Sequence, residues 1–490
     1  MSESEITIDP ITRLEGHGKI RVFLDQDRQV NNAVLQVPEL RGFERFCQGR
    51  RGEEMPRLTE RICGVCPEAH HFASTKALDH AFSVKPNDRA RKLRELLYNA
   101  YIYADHSLHL FYLGGPDFLV DRSAGKASRN IVGVLDKIGD DLGKSVLKHR
   151  RFAHEIIEEI GGHQVHPVSG VPGGMSKSVD AEARKRIEEQ ARSCLDFAQE
   201  SVDLFHNQVF DDELFGGLVE DQTFSLSTYY MGLVDEDSRV SFYDGDVKVI
   251  SPSGDQFALV SSQELPHIIE EHVEPWTYVK FPYLKEVGWN DFRAGQQSGV
   301  FRVGPLARLN VAEGMKNPKA QEEYLRFSDF FGGTPVHHTY AYHWARLVEL
   351  LDAAESMYKL ASDPDIAGGG LRTELGQPGE GVGVIEAARG TLIHHYSLDE
   401  RGLVESANMV VPTTSNNAAL SMSIGQAASA ALNGKRDYGE ETLNQIEMGF
   451  RPYDPCMACA SHSADGGLNI EVVLYDFRGD EITRLKRGGQ

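Results

Sequence analysis

The chain has 490 residues, 41% of them hydrophobic and 25% charged, enough apolar material for one large core or two to three smaller ones; a miniprotein and global disorder are excluded. Asp and Glu outnumber Lys and Arg by 73 to 51, and the net charge of −22 repels phosphate backbones and anionic lipid, so nucleic acid is not an expected partner. No apolar run of about 18 residues is present, and the opening MSESEITIDP lacks a basic region before an apolar stretch, so neither a membrane span nor an export signal of its own is expected.

In chain order, the first 35 residues alternate apolar and polar (KIRVFLD, NNAVLQV) and predict a hairpin turning at Asp25–Arg28. From Lys92 to Leu113 apolar residues recur at three- and four-residue spacing without Pro or Gly, which predicts a long, deeply buried helix. Similar patterns over 181–210, 342–361 and 417–432 predict further helices. The stretch 211–305 (VKVISPSGDQFALV, TYVKFPYL) is rich in β-branched and aromatic residues with frequent turn signals, and reads as a β-containing insertion. Residues 362–383, dense in Gly, Pro and Asp, read as loop. The expected fold is α+β: a large α-rich body with an N-terminal hairpin and a central β-containing insertion.

Four of the six cysteines stand in two CxxC pairs, Cys63 and Cys66 in RICGVCPEAHH and Cys456 and Cys459 in DPCMACASH. Each pair presents two thiolates on one side of a tight loop, and two such loops brought together make a four-sulfur site for Zn, Fe or a softer metal. The wide separation of the pairs argues against a zinc ribbon, which closes over a few tens of residues, and a redox disulfide lacks its βαβ context. Acids and bases (His70, His71, Asp454, His462) flank both pairs, which points to catalysis. Cys47 and Cys194 have no evident partners and read as buried small hydrophobes.

The ordered segments DPITRLEGHGKI, LRGFERF, RICGVCPEAHH, HPVSGVPGG, AARGTLIHHY, MVVPTTSNN and DPCMACASH resemble the large subunit of nickel-iron hydrogenases, from position 9 to position 462. Within that family QGRRGEEMPRLTERICGVCPEAHH most resembles the cytoplasmic, multi-subunit type. The resemblance implies reversible heterolytic cleavage of H2 at a Ni-Fe centre whose iron carries cyanide and carbon monoxide. Cys63 and Cys456 would be terminal ligands to nickel, and Cys66 and Cys459 would bridge nickel and iron. Glu15 would relay protons from Cys456, and Arg389, Asp105 and Asp454 would form a polar canopy over the open side of the metals. Thr413, after Pro412, would hydrogen-bond a cyanide, and His70 would donate to a bridging thiolate. Glu44, the Met409 carbonyl and His462 would hold a buried Mg, or Fe. One departure is Ala388, where the family commonly has Pro before the arginine.

The same resemblance implies several partners: an iron-sulfur small subunit, further electron-transfer subunits linked to heterodisulfide reductase, diaphorase or ferredoxin, and metal-insertion proteins in a cytoplasmic setting. It also implies one domain over 1–462 and removal of the extension 463–490 by a maturation endopeptidase; Asn469–Tyr475 in that extension has strand character. Two rivals remain at this point: a metal-free redox scaffold similar to the quinone-site subunit of respiratory NADH dehydrogenase, disfavoured by the four cysteines, and a zinc-stapled interaction protein.

Overall fold

The computed structural model describes residues 4–120, 128–210, 217, 221–433, 435, 438–461, 470–475 and 481–487. The expected N-terminal hairpin is β2 (Lys19–Leu24) and β3 (Val30–Gln36), and β1 (Ser4–Ile8) adds a third antiparallel strand along β2. At the turn, Asp25 Oδ1 accepts from the backbone N–H groups of Asp27 and Gln29, adding a side-chain hold to the backbone bonds Asp25 N–Gln29 O and Arg28 N–Asp25 O.

Helices make the body. α1 (Pro67–Ala81) starts with Pro67 in its first turn and is buried almost throughout, so it carries no amphipathic signal. α2 (Asp88–Leu108) is the long helix the apolar spacing predicts; Asn87 caps it by accepting from Ala90 N, a bond worth about 1 kcal/mol. α3 (Asp140–Gly161) packs on α2, and α4 (Ala181–Phe205), capped by Asp180, packs on α3. α5 (Ala341–Ser362) lies against both α2 and α4 at the centre of the main core, and α6 (Pro412–Leu432) covers β3.

The stretch 211–305 holds β4 (Tyr229–Val234), β5 (Asp246–Ile250), β6 (Gln256–Val260) and β7 (Phe301–Arg302), in the sheet order β7-β4-β5-β6. Its apolar side, Tyr229, Met231, Leu233, Val247 and Val249, shares one core with Val382, Val384, Ile393 and Val410 further along the chain, so this sheet is packed into the body.

Those last four residues belong to an antiparallel meander, β8 (Glu380–Ala387), β9 (Gly390–Leu398) and β10 (Val404–Val410), which the sequence reading did not anticipate. β8 also corrects the loop expected over 362–383: residues 380–383 are strand. The glycines there are packing devices. A Cβ on Gly381 would stand 2.2 Å from Ala77 O, and one on Gly383 2.1 Å from Ala73 O, so α1 lies with its backbone directly on the strand. In the C-terminal extension, β11 (Ile470–Tyr475) pairs antiparallel with β12 (Glu481–Arg487).

Candidate metal centre

Each cysteine pair brackets the start of a helix. Cys66 is the N-cap of α1 and Cys63 precedes it in extended backbone; Cys456 is the N-cap of the short helix Met457–Ala460, which contains Cys459. The fold brings the pairs together: the four sulfur atoms all lie within 4.8 Å of one another, every one buried and none in a disulfide. Cys63 Sγ and Cys456 Sγ are 3.5 Å apart, as are Cys66 Sγ and Cys459 Sγ. Hydrogen bonds from the three other sulfurs pull Cys63 well below the usual thiol range, while burial pushes Cys456 well above it and Cys459 up to about 11. Protein alone thus stabilises one thiolate in the cluster. Four thiolates here require a cation, and the soft, buried donor set fits nickel and iron.

The N-terminal segment seats the second pair. Glu15 N donates to Pro455 O at 3.3 Å and Met457 N to Glu15 O at 2.9 Å, a two-bond bridge between distant parts of the chain. Gly16, at φ +80°, allows the close approach; a Cβ there would meet Ala458 N at 2.9 Å. The Glu15 side chain then falls with Oε2 2.9 Å from Cys456 Sγ, where it also accepts from Ala458 N at 3.1 Å. Burial, and next the negative charge of Cys63, raise its carboxyl above the ordinary range. Behind the bridge, Thr12 donates from Oγ1 to Glu447 Oε2 at 2.6 Å, and Arg13 and Arg451 share Asp117. This buried clamp was not foreseen, because no local pattern in the sequence links its members.

Arg389 occupies, with Ala388, the two-residue turn between β8 and β9. A buried hairpin tip must have its polar groups satisfied: Ala388 N donates to the Tyr101 hydroxyl at 3.2 Å, and Arg308 donates to the carbonyls of Ala387 and Ala388. The Arg389 guanidinium donates to both oxygens of Asp105, at 2.8 and 3.2 Å, and reaches Asp454 Oδ2 at 3.0 Å. A carboxylate buried inside α2 would be costly without a partner, and Arg389 supplies one. Burial pushes Asp454 up to about 7 in spite of the arginine.

Thr413, in the first turn of α6 after Pro412, accepts from Cys456 N at 3.0 Å, which leaves its hydroxyl proton for another acceptor. His70 is enclosed, with Nδ1 3.1 Å from His394 Nε2 and Nε2 without a protein partner. Glu44 pairs with Arg41 through Oε1 at 2.7 Å, and Arg41 also donates to Met409 O at 3.3 Å and to Cys459 O at 2.9 Å. Glu44 Oε2 is buried without a partner, an anionic oxygen that a divalent cation would satisfy. His462 lies outside the described residues.

The family profile described as nickel-dependent hydrogenase matches residues 41–140 and 216–462, and one described as HoxL-like matches 5–40. The chain is 43% identical to an iron-sulfur subunit of the F420-non-reducing hydrogenase of Archaeoglobus profundus, over 98% of this chain and 99% of that one. It is 37% identical to the NAD-reducing hydrogenase HoxS subunit beta of Cupriavidus necator, over 99% of both. A crystal structure of an NAD+-reducing NiFe hydrogenase in the H2-reduced state superposes with a TM-score of 0.87 at 38% identity, covering 94% of this chain and 99% of that one.

Proposed function

Because the chain belongs to the nickel-dependent hydrogenase family and is the large, catalytic subunit of such an enzyme, we propose that its four clustered cysteines hold the Ni-Fe centre. The single observation that carries this reading is the convergence of two distant CxxC pairs into one buried set of free sulfurs. By the resemblance, Cys63 and Cys456 would be the terminal holders of nickel, and Cys66 and Cys459 would be shared with iron. When bound, the centre supplies the heterolytic cleavage of hydrogen.

The protein's part is to orient groups and to move the proton. Cys456 Sγ passes it to Glu15 Oε2 across 2.9 Å, and the raised proton affinity of that carboxyl brings it nearer to a thiol's. Asp105, gripping Arg389 through both oxygens, fixes the plane of the guanidinium over the sulfurs, and Asp454 holds its other side. Were the iron to carry cyanide and carbon monoxide, Thr413 would donate its free hydroxyl proton to one cyanide, and Ala388, where the family commonly has Pro, would stand beside the other. Glu44 Oε2, which has no protein partner, the Met409 carbonyl and His462 would hold Mg, or Fe.

An iron-sulfur small subunit takes the electrons. The names of the relatives point to multi-subunit complexes with different acceptors, so further electron-transfer subunits complete the assembly. No helix among the described residues is long and apolar enough to cross a membrane; the cytoplasmic setting rests on the resemblance to the multi-subunit type. The extension 463–490 is removed during maturation. The test is purification of the native complex with metals quantified and infrared spectra recorded in the cyanide and carbonyl region. Nickel and iron near one each per chain, with those bands, support the reading; zinc without nickel overturns it.

A further inference from the structure

The turn that carries Arg389 is gripped from behind by a second arginine. Arg308, on the helix Pro305–Val311, is fully enclosed, and all five of its N–H groups find acceptors. Nε donates to Glu349 Oε1, Nη2 to Glu349 Oε2 and Nη1 to Glu386 Oε2, each at 2.6 Å. The two remaining donors go to backbone, Nη1 to Ala387 O at 2.9 Å and Nη2 to Ala388 O at 3.2 Å. Ala387 and Ala388 are the residues that lead into Arg389. The two carboxylates are held in their turn: Glu349 Oε2 also accepts from His106 Nε2 at 2.9 Å, and Glu386 Oε1 accepts from Thr391 Oγ1 at 2.7 Å and Leu233 N at 3.1 Å. Burial acts to raise Glu349, but the charge of Arg308 outweighs it and holds that carboxyl below its ordinary range, so it is ionised and only accepts.

These bonds set peptide planes. Ala387 O and Ala388 N belong to one rigid peptide unit, held at its oxygen by Arg308 and at its nitrogen by the Tyr101 hydroxyl, 3.2 Å away. The next unit, whose nitrogen is that of Arg389, is held at its oxygen by Arg308 again. The turn has no slack on its other side, where a Cβ on Gly304 would stand 2.8 Å from Arg389 O. α2 serves as the common ruler. Tyr98 donates to Glu386 O at 2.9 Å, Tyr101 holds Ala388 N and Asp105 takes the Arg389 guanidinium, three residues at helical spacing on one face, while His106 braces Arg308 through Glu349. Arg389 Nε has no partner, so that side chain is fixed only at its tip and at the backbone it springs from.

We propose that Arg308, braced by Glu349 and Glu386, is a positioning residue for Arg389: it fixes the two peptide planes that lead into Arg389 and so the point from which that guanidinium reaches the metal centre. This rests on the reading that Arg389 acts there. None of the five bonds of Arg308 reaches a sulfur, so its effect passes through Arg389. Satisfying two buried carbonyls would need only one donor to each; a planar fork pinned by a carboxylate on either side also fixes their direction.

The wild-type holoenzyme is compared with Arg308→Lys, Arg389→Lys and the double variant by nickel and iron content, hydrogen/deuterium exchange and crystal structure. Lys keeps the charge and a donor but cannot hold both carbonyls and both carboxylates from one plane. At full metal content Arg308→Lys should lower exchange at least about 10-fold, since a misplacement of about 1 Å can cost about 100-fold, and its crystal structure should show the two-bond grip of Asp105 on Arg389 opened. In the Arg389→Lys background the same change should cost less than about 2-fold, because the group it positions is gone. Equal losses in the two backgrounds, or wild-type exchange from an unmoved turn in Arg308→Lys, overturn the positioning role. Wild-type exchange in Arg389→Lys, or a wild-type protein without nickel, overturns instead the reading beneath it. Where Arg308→Lys does not take up metal, Tyr101→Phe, which frees the N–H of the same peptide plane by removing one hydroxyl, decides by the same criteria: a loss confined to the Arg389 background supports the role, and an equal loss in both overturns it.

Discussion

Glu15→Gln replaces a carboxyl by an amide of the same shape. The amide oxygen can keep the bond from Ala458 N, now 3.1 Å, and the backbone bridge to Pro455 and Met457 does not involve the side chain, so the cysteine loop stays seated. What disappears is a group that takes up and releases a proton. Among the described residues no other carboxylate hydrogen-bonds a sulfur of the cluster, so no neighbour at contact distance replaces it. General acid–base groups contribute about 10²- to 10⁴-fold, and turnover should fall by at least about 100-fold with nickel and iron still bound. Hydrogen/deuterium exchange followed by mass spectrometry is the assay, because exchange needs cleavage and proton departure but no electron acceptor. Glu15→Asp withdraws the carboxyl by one methylene, which takes it out of hydrogen-bond range of the sulfur; exchange through an intervening water should leave it between wild type and Gln. A Gln variant that keeps more than about half of wild-type exchange at full metal content would refute the relay, since an amide gives none of the acid–base gain.

Cys456→Ser should abolish hydrogen uptake and proton reduction while circular dichroism shows the fold retained; activity with normal nickel content would contradict a ligand role. Arg389→Leu should cost about 3–5 kcal/mol in denaturant unfolding by stranding two buried carboxylates, and adding Asp105→Asn should recover part of it, a coupling that additive losses would disprove. Burial raises Asp352 to about 7, so the folded chain holds a proton there that the unfolded chain releases near pH 4; stability therefore falls as pH rises between about 4 and 7. Asp352→Asn, which still accepts from Asn317, should flatten that fall in thermal midpoints measured across the window. The intact mass of the nickel-loaded subunit should correspond to a chain ending at His462, and full-length mass in the active fraction would defeat processing.

What could be read from the sequence was what repeats locally. The spacing of Leu93, Leu96, Leu97 and Ala100 is a helical face whatever surrounds it, and α2 is there. Burial on every side erases that signal: α1 has almost no exposed residue, its polar His70 and Ser74 included, and β8 is buried along nearly its whole length around Val384, so glycines meant for close packing pass for loop. The site divides in the same way. The gathering of the cysteine pairs follows from chemistry, since thiolates gather metals, and so does the need of a buried Asp105 for a cation, while the choice of Arg389 as that cation is what the family resemblance implied. Thr12 with Glu447, or His70 with His394, are single encounters between distant parts of the chain. In HHYSL the alternation with Tyr396 and Leu398 turns His394 inward only once the segment is known to be a strand, and the register places it opposite Met409.

The arrangement also fixes an order of assembly. Cys456 and Cys459 are held by groups from elsewhere: Glu15 across the backbone bridge, Arg41 on the Cys459 carbonyl, Thr413 on Cys456 N and Thr414 on the Ala460 carbonyl. Thr413 and Thr414 belong to the start of α6, and Cys63 and Cys66 to the approach to α1, and none of these needs the last cysteine pair for its own helix, whereas Glu15 forms its β-bridge with Cys456 itself. The segment 451–461 has only short turns of helix, so it gains its geometry by docking onto a frame already built. Ser461, at 1% exposure, ends that segment inside the protein. A chain that continues beyond it must lead out from a buried point, at the place where the second pair of sulfurs closes over the first. Metal loading from an open frame, followed by docking of this segment, is a sequence of events that such a geometry permits, and under the proposed removal of 463–490 the freed end after His462 would make the docked position permanent.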